Sequence, residues 1–387
     1  MNILYICGVD PDSRESGNAQ RTHLLYKALC RLGKVYVLHT DRESADEPGR
    51  KMQNRHLTLG HFKRFVNHWC WKFYGRIYPT CPFLLPFAWN LNVAEAFPGV
   101  KFDLIVARYL HEPAVVRPWR YGPLWIDIDD HPLQVYETCR ARLDGTLFRW
   151  FGRILVRFVT NYIVRHCTGC WVSNPSQISC FLEPEKIHVL ENVASQPPSE
   201  YDPESPRAAC LMMVGYMAYE PNFLGADRFL TEVWPLAKAR YPDLEFWIVG
   251  KGLPVEYAEK WSKIGGVKCL GFVKDLAPLY AKCLATVVPI DSGGGTCIKT
   301  MESLAYSRAC LSTAFGARGI SESDFADRAN GLLIYDSAEN FVETLSLIVD
   351  EVSRKTLERA AKSYADRNFS EERFFRQVSV CTGQSPL

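Results

Sequence analysis

The chain has 387 residues, 47% of them hydrophobic and 23% charged, with a formal net charge of +2. That length exceeds one ordinary core, so two domains are expected, and the hydrophobic share excludes a disordered chain. The near-neutral charge argues neither for nor against nucleic acid, and no apolar run reaches the roughly 18 residues of a membrane span.

The opening run MNILYICGVD goes straight into a short apolar segment and reads as a first strand, not a signal peptide. DPDSRESGNAQ is a polar loop, and AQRTHLLYKALCRLG has helical spacing with a C-capping Gly33. KVYVLHT is the next strand. DLIVAR (103–108), PLWIDID (123–129), GCWVSN (169–174) and IHVLENV (187–193) follow as strands. Strands alternating with helices imply a parallel sheet covered on both faces.

Residues 194–210, ASQPPSEYDPESPRAAC, are rich in Pro, Ser and acids and read as an interdomain linker. The α/β rhythm then restarts with CLMMVGY as a strand and GADRFLTEVWPLAKARYP as a helix. LEFWIVGKG, VKCLGFV, ATVVPI, ACLSTAF and GLLIYD are strands, with DLAPLYAKC a helix, and the chain ends in helices. The expected division is an N-terminal domain over 1–195, a linker over 196–208 and a second domain over 209–365. Residues 366–387 are expected to be a helix packing back on the N-domain.

Fourteen cysteines are scattered, with Cys7, Cys30 and Cys283 in apolar patterns, as for free thiols in a reducing compartment. Cys167 and Cys170 form a lone CxxC without the second ligand pair that zinc needs, so no metal is expected.

The stretch DSGGGTCIKTMES (291–303) puts three glycines between a strand and a helix expected from about Thr296. Such a loop, Gly293, Gly294 and Gly295, lets a ligand approach the main chain, and the helix start offers unpaired N–H groups to an anion. Lys299 lies in the first turn, where the dipole disfavours a cation unless an anion stands before it. Glu302, three residues on, is able to accept hydrogen bonds from vicinal hydroxyls such as those of a ribose. Together they suggest a nucleoside diphosphate. A tight strand–helix turn with a surface lysine and glutamate is the competing reading. The loop is neither a P-loop nor a GxGxxG fingerprint.

VGYMAYEPN (214–222), FWIVGKG (246–252), VKCLGFVKDLAPLYAKC (267–283), the glycine-loop run 287–313 and FGARGI (315–320) occur in this order. The series resembles the donor-binding domain of retaining GT-B glycosyltransferases of family 4, from a branch common in bacterial polysaccharide and lipopolysaccharide synthesis. The resemblance covers essentially the whole chain and is strongest over 211–320. It implies an α/β GT-B fold, two facing Rossmann-like doubly wound domains with a C-terminal helical segment. It also implies sugar transfer from a UDP- or GDP-sugar to a glycan or lipid-linked acceptor, without a protein-bound metal or other cofactor, in the cytoplasm. By the resemblance Glu302 binds the donor ribose. Lys299, Arg318, Gly215 and the amides of the loop through Thr296 hold the diphosphate or sugar. Gly17, Asn18 and Arg21 form the matching N-domain loop. The usual second glutamate is replaced by Gly294 and the usual arginine by Tyr216. Two alternatives therefore stand: a nucleotide-sugar 2-epimerase of the same architecture, and a non-catalytic nucleotide- or glycan-binding protein.

WIDIDDHP (125–132) clusters Asp127, Asp129, Asp130 and His131 at a strand's carboxyl end, where ionisable groups are costly unless paired or solvated. By the resemblance Asp129, Asp130 and His131 are the catalytic candidates near the sugar; helix capping is the structural alternative. His111 and Glu112 are acceptor-side candidates. Retaining transfer is then expected as front-face displacement, with the leaving diphosphate helping to deprotonate the acceptor.

Arg50–Ala94 carries seven Lys/Arg and no Asp or Glu, interleaved with aromatics as in HFKRFVNHWCWKFYGRIYP. In TLFRWFGRILVRFVTNYIVRH (146–166), Arg149, Arg153 and Arg157 share one helix face, and Leu147, Phe151, Ile154, Leu155 and Phe158 form another. Such segments suit an anionic membrane surface, the alternative being a core helix with a solvated basic side. Nothing matches a nucleic-acid-binding module, so no such partner is expected.

Overall fold

The computed structural model describes residues 1–12, 17–39, 50–52, 93–110, 116–134, 146–194, 196–293, 296–320 and 330–383. The chain divides into one unit of Met1–Glu191 with Glu371–Leu387 and another of Asn192–Ser370. The first unit is built on a seven-stranded sheet of β1 (Asn2–Cys7), β2 (Lys34–His39), β3 (Arg50–Met52), β4 (Leu104–Arg108), β5 (Leu124–Asp129), β6 (Gly169–Val172) and β7 (Ile187–Val189). Their order is β3-β2-β1-β4-β5-β6-β7 and every pair is parallel. β1 and β4 are buried almost end to end, which is why they read as unbroken apolar runs: helices cover both faces of such a sheet.

The second unit repeats the plan with β8 (Cys210–Val214), β9 (Glu245–Val249), β10 (Val267–Gly271), β11 (Ala285–Val288), β12 (Cys310–Ser312) and β13 (Leu332–Ile334). The order is β10-β9-β8-β11-β12-β13, again all parallel. In both sheets the chain direction of winding reverses beside the first strand, between β1 and β4 and between β8 and β11. Ligands of doubly wound sheets bind beyond the strands' carboxyl ends at that switch point. Each unit is thus a doubly wound, Rossmann-like parallel sheet, and the chain ends in a helical part.

The helix expected after β8 runs from Glu220 to Arg240 but contains a π turn at Phe229–Val233. Pro235 follows at once; it lacks an N–H to donate, and the wider turn absorbs the missing bond. Phe229 meets Phe246 and Phe341 there, at 4.9 and 5.1 Å between ring centroids, in the middle of the core. The last helix, Glu371–Cys381, lies on the helix Gly17–Leu32. Lys27 reaches Glu371 at 2.6 Å, Arg31 reaches Glu372 at 2.9 Å, and the Arg31 guanidinium covers the Phe375 ring at 4.0 Å.

The segment expected to be a linker is tied down along the second unit. Tyr201 donates to the Tyr306 carbonyl at 2.7 Å, and Arg207 donates to the Ala281 carbonyl at 2.7 Å. Arg207 and Arg308 share the buried carboxylate of Glu358, each at 3.2 Å. Of the thiols read as buried, Cys7 and Cys283 are, whereas Cys30 is exposed on its helix. Among the described residues no helix is long and apolar enough to cross a membrane, and no group of three His, Cys, Asp or Glu is placed to hold a metal.

A buried ion pair stripped of one partner leaves an uncompensated charge. Glu358→Ala, which strands Arg207 and Arg308, is expected to lower unfolding stability by about 3–5 kcal/mol in urea titrations. A loss near the ~0.5 kcal/mol of a surface substitution would show that the pair is unimportant.

Candidate functional site

At the β8/β11 switch point the glycine loop leads into the helix Ile298–Ala305. The helix starts two residues later than the sequence pattern suggests. No side chain caps it at Cys297 and no acid lies in its first turn. Lys299 is in that turn, half-buried, and makes no ion pair among the described residues. Its ammonium donates to Asn222 Oδ1 at 2.5 Å, and Asn222 Nδ2 donates to the Tyr216 carbonyl at 2.8 Å. The loop's acid, Asp291, is bonded to Arg228 instead. A cation therefore sits at the positive end of a helix dipole with the Asn222 amide as its polar contact among the described residues, an arrangement that favours an anion in front.

Close packing keeps this place open. Gly215 follows β8, and a Cβ there would stand 3.0 Å from Asn222 Nδ2 and 3.6 Å from Lys299 Cε. Gly293 has φ +123°, a conformation for glycine, and a Cβ on it would meet the Tyr219 hydroxyl at 2.9 Å. Gly294 and Gly295 lie outside the described residues. Thr296 packs under Gly319, and Arg318 donates to the carbonyls of Phe315 at 3.1 Å and Gly293 at 3.4 Å while its guanidinium covers the Phe315 ring at 3.4 Å. Arg318 thus braces the loop.

Glu302 is half-buried one turn further along. The buried phenol of Tyr280 lies beside its carboxylate, and burial together with that carboxylate raises the phenol well above its ordinary range. Tyr306, stacked on Tyr280 at 4.2 Å, is pushed up to about 12 by burial and then by Glu302. Both phenols stay neutral at physiological pH and wall the glutamate on one side.

In the first unit the candidate residues gather beneath the helix Gly17–Leu32. β5 bulges between Asp127 and Asp129, and Asp129 takes φ +66°. Tyr109, just past the end of β4, takes φ +64°. Left-handed non-glycine residues at two neighbouring strand ends are held by their surroundings, as functional sites often require. The surroundings are a lattice of opposite charges. Arg21 grips Asp127 with two hydrogen bonds, at 2.8 and 2.9 Å, and lies 3.6 Å from Asp129. Arg108, paired in register with Asp127, donates to Asp127 and Asp129 at 3.0 Å each, and to Asn18 Oδ1 and the Tyr109 hydroxyl at 3.2 Å each. Arg21, Arg108 and Asp127 are fully buried, while Asp129 keeps 19% of its side chain exposed. Burial alone would raise the Asp129 carboxyl, but Arg21 and Arg108 outweigh it and hold the group below the usual carboxylate range. Asp129 is the ionised group that this lattice presents outward.

The phosphate contact expected of Arg21 does not fit this geometry, because Asp127 occupies its guanidinium inside the unit. Asn18 supplies an acceptor to Arg108 from the first helical turn that Gly17 opens. Asp130 accepts from Ser173 and Gln177, both at 3.4 Å. His131 is turned inward: its Nδ1 accepts from the Leu133 amide at 3.1 Å, capping the following turn, and its ring meets Phe181 edge-on at 4.5 Å. Burial, then Arg157, lowers it to about 4. The capping alternative therefore holds for His131, and a direct sugar contact is not supported there. His111 and Glu112 lie outside the described residues. Arg108, Asn222 and Tyr280 were missed. Arg108 closed a strand pattern like any flanking charge, and only the β4/β5 register reveals its partner.

Comparison with known proteins follows the same lines. The family pattern "Glycosyl transferases group 1" matches residues 208–351, within the second unit. No curated protein sequence matches the chain. Among solved structures, Anabaena Alr3699/HepE in complex with UDP is similar with a TM-score of 0.61 at 14% identity, covering 99% of this chain and 100% of that one. A glycosyltransferase from Rickettsia africae gives 0.62 at 12%, covering 99% and 98%. WaaG, a glycosyltransferase involved in lipopolysaccharide biosynthesis, gives 0.62 at 15%, covering 98% and 100%.

The lowered histidine carries a sign. A base buried in its neutral form stabilises the fold fully above its unfolded value of 6.5, and that contribution is lost as pH falls from 6.5 toward about 4. The loss attributable to His131 is about 3 kcal/mol. Urea unfolding at both ends of that window should show His131→Asn, which keeps a capping acceptor, losing less stability than wild type. Equal losses would show that His131 titrates normally.

Proposed function

We propose that this chain is a retaining glycosyltransferase acting in the cytoplasm. It takes a sugar from a nucleotide-diphosphate donor, UDP- or GDP-linked, and passes it to a glycan or lipid-linked acceptor in cell-surface polysaccharide synthesis. The observation that carries the reading is Lys299: a cation with no ion pair among the described residues, at an uncapped helix start, on the switch point of a doubly wound sheet. The match of the second unit to a glycosyltransferase family pattern supports it, as do the UDP complexes of similarly folded proteins.

On this reading the diphosphate oxygens accept from Lys299 and from the first amides of the Ile298–Ala305 helix. Glu302, backed by the neutral Tyr280 phenol, accepts from the ribose hydroxyls. The bond from the sugar's anomeric carbon to the diphosphate oxygen breaks as the bond to the acceptor oxygen forms on the same face. The acceptor's proton passes to the departing diphosphate. Negative charge grows on the diphosphate as it leaves, so Lys299 and the helix dipole act more strongly in the transition state than in the ground state. Asp129, kept ionised by the arginines behind it, is the group assigned to the positive charge developing on the sugar or to an acceptor hydroxyl. Asp130 is assigned a supporting place beside it.

Calorimetric titration with UDP and GDP tests the donor site. Wild type is expected to bind one of them, with Lys299→Ala and Glu302→Ala each weakening binding by about 1.5–3 kcal/mol, the range for a hydrogen bond to a charged group. Unchanged affinity in both variants, with unchanged thermal unfolding, would remove the donor site from this helix.

A further inference from the structure

The helix Thr146–Arg165 buries Val156, Val159, Ile163 and Val164 and leaves exposed Ile154 and Phe158, which the sequence placed on one apolar face. The side chains of Leu147, Arg149 and Phe151, and the basic-aromatic run 61–79, lie outside the described residues.

In the second unit one short helix, Glu220–Arg228, controls what surrounds Lys299. It packs tightly on the chain that leaves β11. A Cβ on its Gly225 would stand 2.5 Å from the Pro289 carbonyl oxygen and 3.1 Å from Ile290 Cα, so only glycine lets the helix come so close. From its last turn Arg228 pairs with Asp291, which turns the acid of the glycine loop away from Lys299. From its first turn Asn222 meets the Lys299 ammonium through Oδ1 at 2.5 Å. Asn222 is itself anchored twice. Its Nδ2 donates to the Tyr216 carbonyl at 2.8 Å and its main-chain N–H to the Tyr219 carbonyl at 2.9 Å. The residue is 4% exposed.

The orientation of that amide is settled by its neighbours. An ammonium only donates and a carbonyl only accepts, so Oδ1 must face Lys299 and Nδ2 must face Tyr216. A carboxylate in this place would hold the lysine equally well, but it would cancel the charge and repel an arriving anion. An alanine would leave the charge and free the long stem to wander. An amide fixes the ammonium by one of its three hydrogens and leaves two for other acceptors. The same helix thus keeps an acid away from the lysine and gives it a neutral partner.

We propose that Asn222 is a positioning residue for the donor diphosphate. Its amide aims the Lys299 ammonium at the space before the Ile298–Ala305 helix without cancelling its charge, and Lys299 keeps this bond when phosphate oxygens take its other two hydrogens. The proposal rests on the donor reading of Lys299 given above. A lysine already aimed loses less freedom on binding, which is a gain in affinity from preorganisation. The competing role for Asn222 is structural: a tie for the turn over 215–219 that acts on the ligand without passing through Lys299.

A double-mutant cycle separates the two, read as calorimetric affinity for UDP or GDP, whichever wild type binds. Asn222→Ala is expected to weaken binding about tenfold when Lys299 is present, and by no more than about twofold when it is made in Lys299→Ala, because the residues act as one unit. Asn222→Asp keeps the side-chain size, so it tests the idea even where the alanine variant folds poorly. It is expected to hold the wild-type unfolding midpoint and to weaken binding about tenfold or more, since its carboxylate pairs with the lysine and opposes the diphosphate. Equal losses from Asn222→Ala in both backgrounds, or wild-type affinity in Asn222→Asp, would overturn the proposal while a weakened Lys299→Ala upheld the donor site. Wild-type affinity in Lys299→Ala itself would remove the donor site and the proposal together.

Discussion

A lysine in the first turn of a helix is repelled by the backbone dipole unless something negative stands before it. Lys299 occupies that position with Asn222 as its described polar contact and Asp291 tied to Arg228. Much of the second unit's local design follows from keeping the place open. Gly250, at φ +145°, lets the end of β9 run against the Gly215 carbonyl, where a Cβ would sit at 1.7 Å. Gly215 lets Asn222 and Lys299 close in beside β8, and Arg318 braces the glycine loop from the other side. The parallel sheet delivers these groups to one edge because β8 and β11 are neighbours where the winding reverses.

The first unit treats charge in the opposite way. Arg21 and Arg108 are buried and matched by Asp127 and Asp129, so the lattice is close to neutral and, of its four charged groups, Asp129 is the one that reaches solvent. Burying four charged groups is tolerable only with full pairing. Their arrangement fixes the backbone at Asp129 and Tyr109 in left-handed conformations that neither residue would choose alone. The cation that the sequence offered to a ligand, Arg21, is consumed in this internal scaffold. The candidate cation for the donor, Lys299, belongs to the other unit.

Strands and helices were legible because a doubly covered parallel sheet writes itself as unbroken apolar runs separated by capped helices. β1, β8 and β11 lie within the runs that mark them. The glycine loop with Lys299 and Glu302 was legible because those residues are neighbours in sequence. What stayed hidden depends on distant partners. Arg108 meets Asp127 only through strand register, and His131 meets Phe181 only when a segment fifty residues on folds against it. The helix Thr146–Arg165 is apolar on two sides, so periodicity alone could not say which side faces the sheet.

The central claim is that the Ile298–Ala305 helix start and Lys299 receive a diphosphate. A crystal structure of the chain with UDP tests it most directly. The account predicts phosphate oxygens at hydrogen-bonding distance from Lys299 Nζ and the first helix amides, with the ribose hydroxyls on Glu302. UDP bound elsewhere, with Lys299 still on Asn222 and the helix amides unliganded, would contradict it.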